Sequence, residues 1–128
     1  MESFLLNLLM WVCLQMGVDP KQVPAIEVAM LQPREMVILM CKKPEMCENF
    51  SPVYYDGKRL YIMENDGEKP IDWKKKKFLA SIIVHNMVHH VQKHIMYKGD
   101  LKEMMKDFKP LEEQAQMLQE RWLERVEI

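Results

Sequence analysis

The stretch WKKKKFLASIIVHNMVHHVQKHIMY, residues 73–97, decides the fold. No Gly or Pro interrupts it, Asp72 can cap its start, and Gly99 follows its last apolar residues, a pattern that predicts one long helix from residue 73 to residue 97. All four histidines of the chain lie between positions 85 and 94 of this helix. We therefore expect both the core and any functional site to be organised around it.

Two different faces are expected on this helix, because successive residues step by ~100° around its axis. His85 and His89 are one turn apart and project together, beside Gln92, on a surface that is partly polar. The opposite face is expected to be core. It comprises Ala80, Val84, Met87, Val88, Val91 and Ile95.

The spacing of His85 and His89 is the one that zinc chemistry uses. Two imidazoles at positions i and i+4 can place their nitrogens on one metal ion at ~2.0–2.1 Å. In the motif H-E-x-x-H, the residue after the first His is a Glu that takes a proton from the attacking water. Asn86 stands at that position here. Such a pair is also compatible with purely structural histidines, and this alternative stays open at this point.

A second pair, His90 and His94, points ~140–180° round the helix from His85. We interpret it as structural, with His90 as a hydrogen-bonded supporting group and His94 as semi-exposed. A nickel or copper site on this pair is a weaker alternative.

The composition is that of an ordinary globular protein. The 128 residues are 48% hydrophobic and 29% charged with a net charge of -1, which predicts a single domain over residues 1–128 and no nucleic-acid partner. The apolar start carries Glu2, has no Lys or Arg before its apolar run and is shorter than the ~17 residues of a membrane span. We expect a first helix that ends at Gly17, with no membrane span and no signal peptide. Its core contacts are expected from Phe4, Leu5, Leu8, Leu9 and Val12.

The redox state of the cysteines would indicate the cellular compartment of the protein. Three cysteines leave at least one unpaired, and Cys41 and Cys47 enclose a short loop in which a disulfide is sterically allowed. A bridge between them would indicate a secreted or periplasmic protein, whereas the lack of a clear signal favours the cytoplasm.

The remaining segments predict a small sheet and further helices. Asp56-Gly57 is a strong turn dipeptide between two β-branched and aromatic runs, so residues 53–62 predict a β-hairpin. Residues 25–31 suit a strand, and residues 33–40 are interpreted as a short helix, although residues 36–40 would also serve as a strand. Helices are expected at residues 101–108 and from Pro110 to about Val126. The expected fold class is α+β, in which the long central helix packs with N- and C-terminal helices and a small β-sheet containing the hairpin.

A catalytic zinc site needs three protein ligands and one open position. On the last predicted helix, Glu113 points away from the apolar stripe, whereas Glu112 lies ~80° from the centre of that stripe and is the better inward-facing carboxylate. Gln114 is neutral and a poorer ligand. An alternative role for Glu112 is that of a first-turn acid favoured by the helix dipole. The stripe consists of Leu111, Ala115, Leu118, Trp122 and Val126.

The segment HNMVHHVQ, residues 85–92, resembles the HExxHHxQ motif of compact bacterial and phage-type zinc metallopeptidase-like domains of the gluzincin kind. The order of the other segments is also similar: a Trp-containing first helix, the loop between Cys41 and Cys47, the hairpin YYDGKRLYI, and the final EEQAQMLQERWL at residues 112–123. The resemblance covers most of the chain in layout, and its specific part is the histidine motif.

This resemblance implies that His85, His89 and Glu112 bind Zn2+ and that the general base falls at Asn86. A neutral amide cannot accept the proton, and loss of general-base catalysis costs ~10²–10⁴-fold. Gln116 rather than an acid follows Ala115, so a supporting carboxylate is also missing. We therefore expect a monomeric zinc metallopeptidase-like protein that acts on a peptide or protein and is inactive or impaired. A non-catalytic zinc-binding interaction module and a metal-free helical interaction protein are the alternatives.

Overall fold

The computed structural model describes residues 2–40, 53–63 and 77–126. The expectations for the loop between Cys41 and Cys47 and for residues 73–76 of the long helix lie outside these ranges. The described elements, in chain order, are α1 (Glu2–Met16), a 3-10 turn (Pro20–Gln22), β1 (Glu27–Leu31), α2 (Pro33–Met40), β2 (Val53–Tyr55), β3 (Arg59–Met63), α3 (Lys77–Val91), a π-helical turn (Gln92–Met96), α4 (Leu101–Lys106) and α5 (Phe108–Val126).

A three-stranded sheet in the order β1-β3-β2 forms one side of the molecule. β3 pairs antiparallel with β2 and parallel with β1. The hairpin turn is built by Asp56, whose Oδ1 accepts the backbone N–H groups of Lys58 at 2.8 Å and Arg59 at 2.7 Å. Gly57 follows with a φ of 99°, a left-handed conformation that favours glycine. The predicted hairpin and the strand within residues 25–31 are confirmed.

The core lies around α3, as expected. Its side chains Ala80, Val84, Val88 and Val91 are fully buried, and α1 contributes Leu5, Leu8, Leu9 and Val12. These residues form one cluster with the sheet and with α5. Among the described residues, no helix has the length and apolar character needed to cross a membrane. The mixed α+β class, with a long helix packed between terminal helices and a small sheet, is confirmed.

The central helix changes its winding at its C-terminal end, which the sequence did not predict. The π-helical turn Gln92–Met96 continues α3, and the N–H of Gly99 then donates to the carbonyl of Lys93 at 2.9 Å. Lys98 and Gly99 have left-handed φ values of 51° and 86°, so the chain reverses there. π-Helical turns are rare in proteins, and those that occur are often found at functional sites.

The reversal brings α5 back along α3. α5 begins at Phe108, two residues before the predicted start, so Pro110 lies in the first turn, where its missing N–H is tolerated. The buried stripe of Leu111, Ala115, Leu118 and Trp122 confirms the predicted core face of this helix. Because α5 packs against α3, its first turns lie beside the His85 and His89 face.

Candidate metal centre

Three side chains that the sequence predicted as ligands lie together between α3 and α5. The Nε2 atom of His85 lies 2.7 Å from Oε1 of Glu112, and the Nε2 atom of His89 lies 3.1 Å from Oε2 of the same carboxylate. The candidate ligand atoms are all within 4.8 Å of one another. The Glu112 side chain is 39% exposed while the two imidazoles are mostly buried, so the group is reachable from solvent through the carboxylate side.

Helical periodicity explains this arrangement. His85 and His89 are one turn apart on α3, so their rings pack edge to face with centroids 5.0 Å apart. Glu112 enters from the second turn of α5, and Glu113 beside it is exposed. The angular distinction between the two glutamates that the sequence predicted is therefore confirmed.

Each of the two imidazoles forms a hydrogen bond with a glutamine through its Nδ1 atom. Nδ1 of His85 lies 2.9 Å from Oε1 of Gln119, and Nδ1 of His89 lies 2.9 Å from Oε1 of Gln92. Gln119 donates its own amide N–H to Ser81 Oγ at 3.2 Å, so its amide oxygen is the atom that faces His85. Because an amide oxygen only accepts, it assigns the proton of His85 to Nδ1.

The same logic applies to His89 through a longer network. Gln92 donates its amide N–H groups to the Leu111 carbonyl at 3.0 Å and to Gln114 Oε1 at 2.9 Å. Its oxygen therefore faces His89 and accepts the Nδ1 proton. Gln114 thus orients Gln92 in this site, a role that the sequence did not predict. Metal-binding histidines in proteins are usually oriented by such a partner on the second ring nitrogen.

These hydrogen bonds leave two Nε2 lone pairs and a carboxylate directed at one point. Electron-pair donors at 2.7 and 3.1 Å repel one another unless a proton or a cation lies between them. Burial lowers the pKa of His85 below its ordinary value, although the Glu112 carboxylate opposes the shift, so the neutral ring is favoured. His85, His89 and Glu112 therefore fit a metal ion.

Phe108 forms one wall of the site. Its ring stacks on His89 with centroids 5.7 Å apart and an interplanar angle of 22°. The sequence prediction missed this residue because it placed the helix start at Pro110. Phe108 precedes Glu112 by one helical turn, so the helical spacing would have placed both on one face had the helix start been known.

Asn86, at the position of the motif glutamate, is turned onto its own helix. Its Nδ2 donates to the Ile82 carbonyl at 2.8 Å, and this is its one hydrogen bond within the described residues. An amide that donates here provides no base for a proton transfer. The residue after His85 therefore cannot act as a general base.

In the second histidine pair, His90 is a hydrogen-bonded structural residue, as predicted. His90 donates its Nε2–H to the Pro24 carbonyl at 2.8 Å, and its Nδ1 accepts the Tyr55 hydroxyl at 2.6 Å. Both ring nitrogens are therefore used, which disfavours the nickel or copper alternative. Burial lowers the pKa of His90 to about 4 and raises the pKa of Tyr55. His94 is half-buried, with its ring 4.6 Å from that of His90.

The last helix, α5, borders the site, and the sheet does not. Tyr55 of β2 contacts His90, and the described strands contribute no hydrogen bond or ring contact to His85, His89 or Glu112. The sheet lies on the other face of α3.

Comparison of the chain with models of protein families, with curated proteins and with solved structures gave no match. The geometry of the centre and the histidine motif are therefore the features that indicate a function.

Proposed function

We propose that this protein is a zinc-binding domain of the gluzincin metallopeptidase-like kind that holds a peptide or protein and cleaves it poorly or not at all. One observation carries the proposal: the Nε2 atoms of His85 and His89 converge with the Glu112 carboxylate while both Nδ1 protons are held by glutamine oxygens. Two histidines and a glutamate are a ligand set that catalytic zinc uses in peptidases.

Zinc is preferred over other metals on two grounds. Two imidazoles and a carboxylate can also serve non-haem Fe(II), but the i,i+4 pair on one helix is typical of zinc peptidases. Zinc also binds more tightly than Fe(II) to a given set of such ligands. When bound, zinc would supply a Lewis acid that polarises a peptide carbonyl.

The residues of the chain itself decide how far such chemistry can proceed. Glu112 is partly exposed, which leaves the centre accessible to a peptide, and Phe108 closes one side of the His89 ring. Asn86 donates to its own helix and cannot take a proton. We therefore favour a zinc-dependent binding module over an efficient peptidase. The converging lone pairs argue against the metal-free alternative.

Metal content tests the first part of the proposal. Protein purified without a metal-affinity column should contain near-stoichiometric zinc by mass spectrometry, and zinc should return on dialysis of chelator-treated protein. Iron in place of zinc would change the metal assignment. Absence of any stoichiometric metal would leave a structural histidine cluster and overturn the proposal.

The Asn86→Glu variant tests the second part. It places a carboxylate at the position of the motif glutamate, so peptide hydrolysis should rise by ~10²–10⁴-fold with unchanged zinc content. Asn86→Gln is the matched control, since it has the same length and no charge, and it should give no gain. If the Glu variant holds zinc and cleaves nothing from a broad peptide library, residues beyond Asn86 have also diverged from an enzyme.

A further inference from the structure

A second, polar cavity lies on the sheet side of α3. It has a volume of about 630 Å³ and opens between the hairpin turn at Gly57, the segment at Pro24 and the π-helical turn. Ligand pockets for small molecules measure ~300–1,000 Å³, so the size suits an organic ligand. Lys93 and His94, two successive residues of the π-helical turn, both line this cavity.

Lys93 is a buried lysine whose ammonium group has a single hydrogen-bond partner within the described residues. Its residue is 8% exposed, and its Nζ donates to the Gly57 carbonyl, the one partner that the described part of the chain offers it. An ammonium group carries three N–H donors. A buried charge that faces a single carbonyl is costly unless an opposite charge or further hydrogen bonds compensate it. The Lys93 ammonium therefore has unused hydrogen-bond donors and a buried charge with which it can bind an anion.

His94 adds a second polar group beside this lysine. Within the described residues neither of its ring nitrogens has a hydrogen-bond partner, and the ring makes an edge-type contact with the ring of His90. Burial, with the nearby Lys93 charge, lowers the pKa of His94, so the ring is neutral at neutral pH and can donate one hydrogen bond.

The charges around the cavity determine which anion fits. Glu27 is already paired with Arg59, whose Nε lies 2.8 Å from its carboxylate. Asp56 accepts the N–H groups of the hairpin turn and the Tyr61 hydroxyl at 3.3 Å. Among the described residues, the lining holds three cations, at Lys58, Arg59 and Lys93, against these two acids, which leaves one net positive charge.

We propose that this cavity binds a small organic monocarboxylate, whose oxygens accept hydrogen bonds from the Lys93 ammonium and from the His94 ring. A dianion is disfavoured, because it exceeds the single net positive charge of the lining and its second charge would be repelled by the Asp56 carboxylate. The site is separate from the candidate metal centre and does not depend on the proposed zinc function.

Titration of the full chain by NMR tests the proposal. The probes are sodium acetate, sodium benzoate and inorganic phosphate, each at constant ionic strength set with sodium chloride. The carboxylates should give saturable shifts at the Lys93 Cε methylene and the His94 ring, while the His85 and His89 rings do not move. Phosphate should bind roughly tenfold more weakly than benzoate, as expected for one additional like-charge contact.

Two variants test whether the NMR shifts arise from binding at Lys93. Lys93→Met keeps the length and the apolar stem, and it should abolish the saturable shift at His94. Folding should survive, since replacement of a buried charge by an apolar side chain is often neutral or stabilising. Lys102→Met, at an exposed lysine outside the cavity, should leave the titration unchanged.

Two results would overturn the proposal: equal saturation in Lys93→Met, or linear shifts spread over every lysine of the unmodified chain. Lys93 would then serve only to hold the hairpin turn. Should Lys93→Met fail to fold, the unmodified chain decides the matter, because saturation confined to Lys93 and His94 supports the site and its absence refutes it.

Discussion

The two faces of the central helix each carry a histidine pair at i,i+4 spacing, but the ring nitrogens of the two pairs have different hydrogen-bond partners. On the α5 face, the Nδ1 proton of His89 is held by an amide oxygen, so its free Nε2 faces a carboxylate. On the sheet face, His90 is saturated by a carbonyl on one nitrogen and a hydroxyl on the other. The partner of the second ring nitrogen, and not the i,i+4 spacing, thus decides which histidine can bind a metal.

The largest effect is expected from substitution of the proposed zinc ligands, which are found on only one of the two faces. Replacing His85, His89 or Glu112 by Ala should abolish stoichiometric zinc binding, because two protein ligands are too few for a tight tetrahedral site. His94→Ala and Glu113→Ala are the matched controls and should retain zinc. Calorimetric titration with zinc measures all five variants. Equal loss from the ligand and the control sets would mean that the ligands are misassigned.

A smaller effect is expected at the glutamine behind His85. Gln119→Leu removes the acceptor of the Nδ1 proton, and loss of such a partner typically lowers metal affinity by ~10–100-fold. Gln116→Leu, an exposed position on the same helix that bonds only to Glu120 within the described residues, is the control. Competition with a zinc-sensing dye measures the difference. A Gln119→Leu variant with unaltered affinity would show that the hydrogen bond does not orient the ligand.

The smallest expected effect concerns the sheet face and pH. The pKa of His90 is about 4 in the folded protein against an ordinary 6.5. The unfolded chain therefore binds a proton first as pH falls, and the stability contributed by the neutral ring is complete above pH ~6.5 and declines until pH ~4. Between pH 7 and pH 5.5 this loss amounts to about 1 kcal/mol.

Urea unfolding at these two pH values, compared with His90→Gln, isolates this loss. The variant keeps a neutral hydrogen-bonding group and cannot titrate, so its unfolding free energy should fall by about 1 kcal/mol less than that of the unmodified protein. A parallel fall in both proteins would show that His90 is already protonated in the folded state at the lower pH.

The predictions that succeeded depend on helical geometry alone. The relation of His85 to His89, and the choice of Glu112 over Glu113, follow from steps of ~100° per residue. The β-hairpin likewise follows from a local turn dipeptide, Asp56-Gly57. Such features need no knowledge of what packs against the segment, so the sequence is sufficient to predict them.

The features that were missed depend on contacts between distant segments. Lys93 is placed by the hairpin turn, since its partner Gly57 lies in another element. Gln114 acts only through Gln92, across two helices. The π-helical turn has no local sequence signature here, because no Gly or Pro interrupts residues 92–96. Phe108 was missed because a helix start is poorly marked when Pro110 lies inside the first turn rather than at its beginning.

Glu112 lies on a different helix from the two histidines, so a metal ion bound at the proposed centre would link α3 to α5. It would therefore join segments that are separated along the chain and would stabilise the folded state. Binding to the folded chain alone adds about 4 kcal/mol of stability when free metal exceeds the dissociation constant a thousandfold. If the centre binds a metal ion, metal starvation would therefore lower the abundance of the protein through unfolding and degradation.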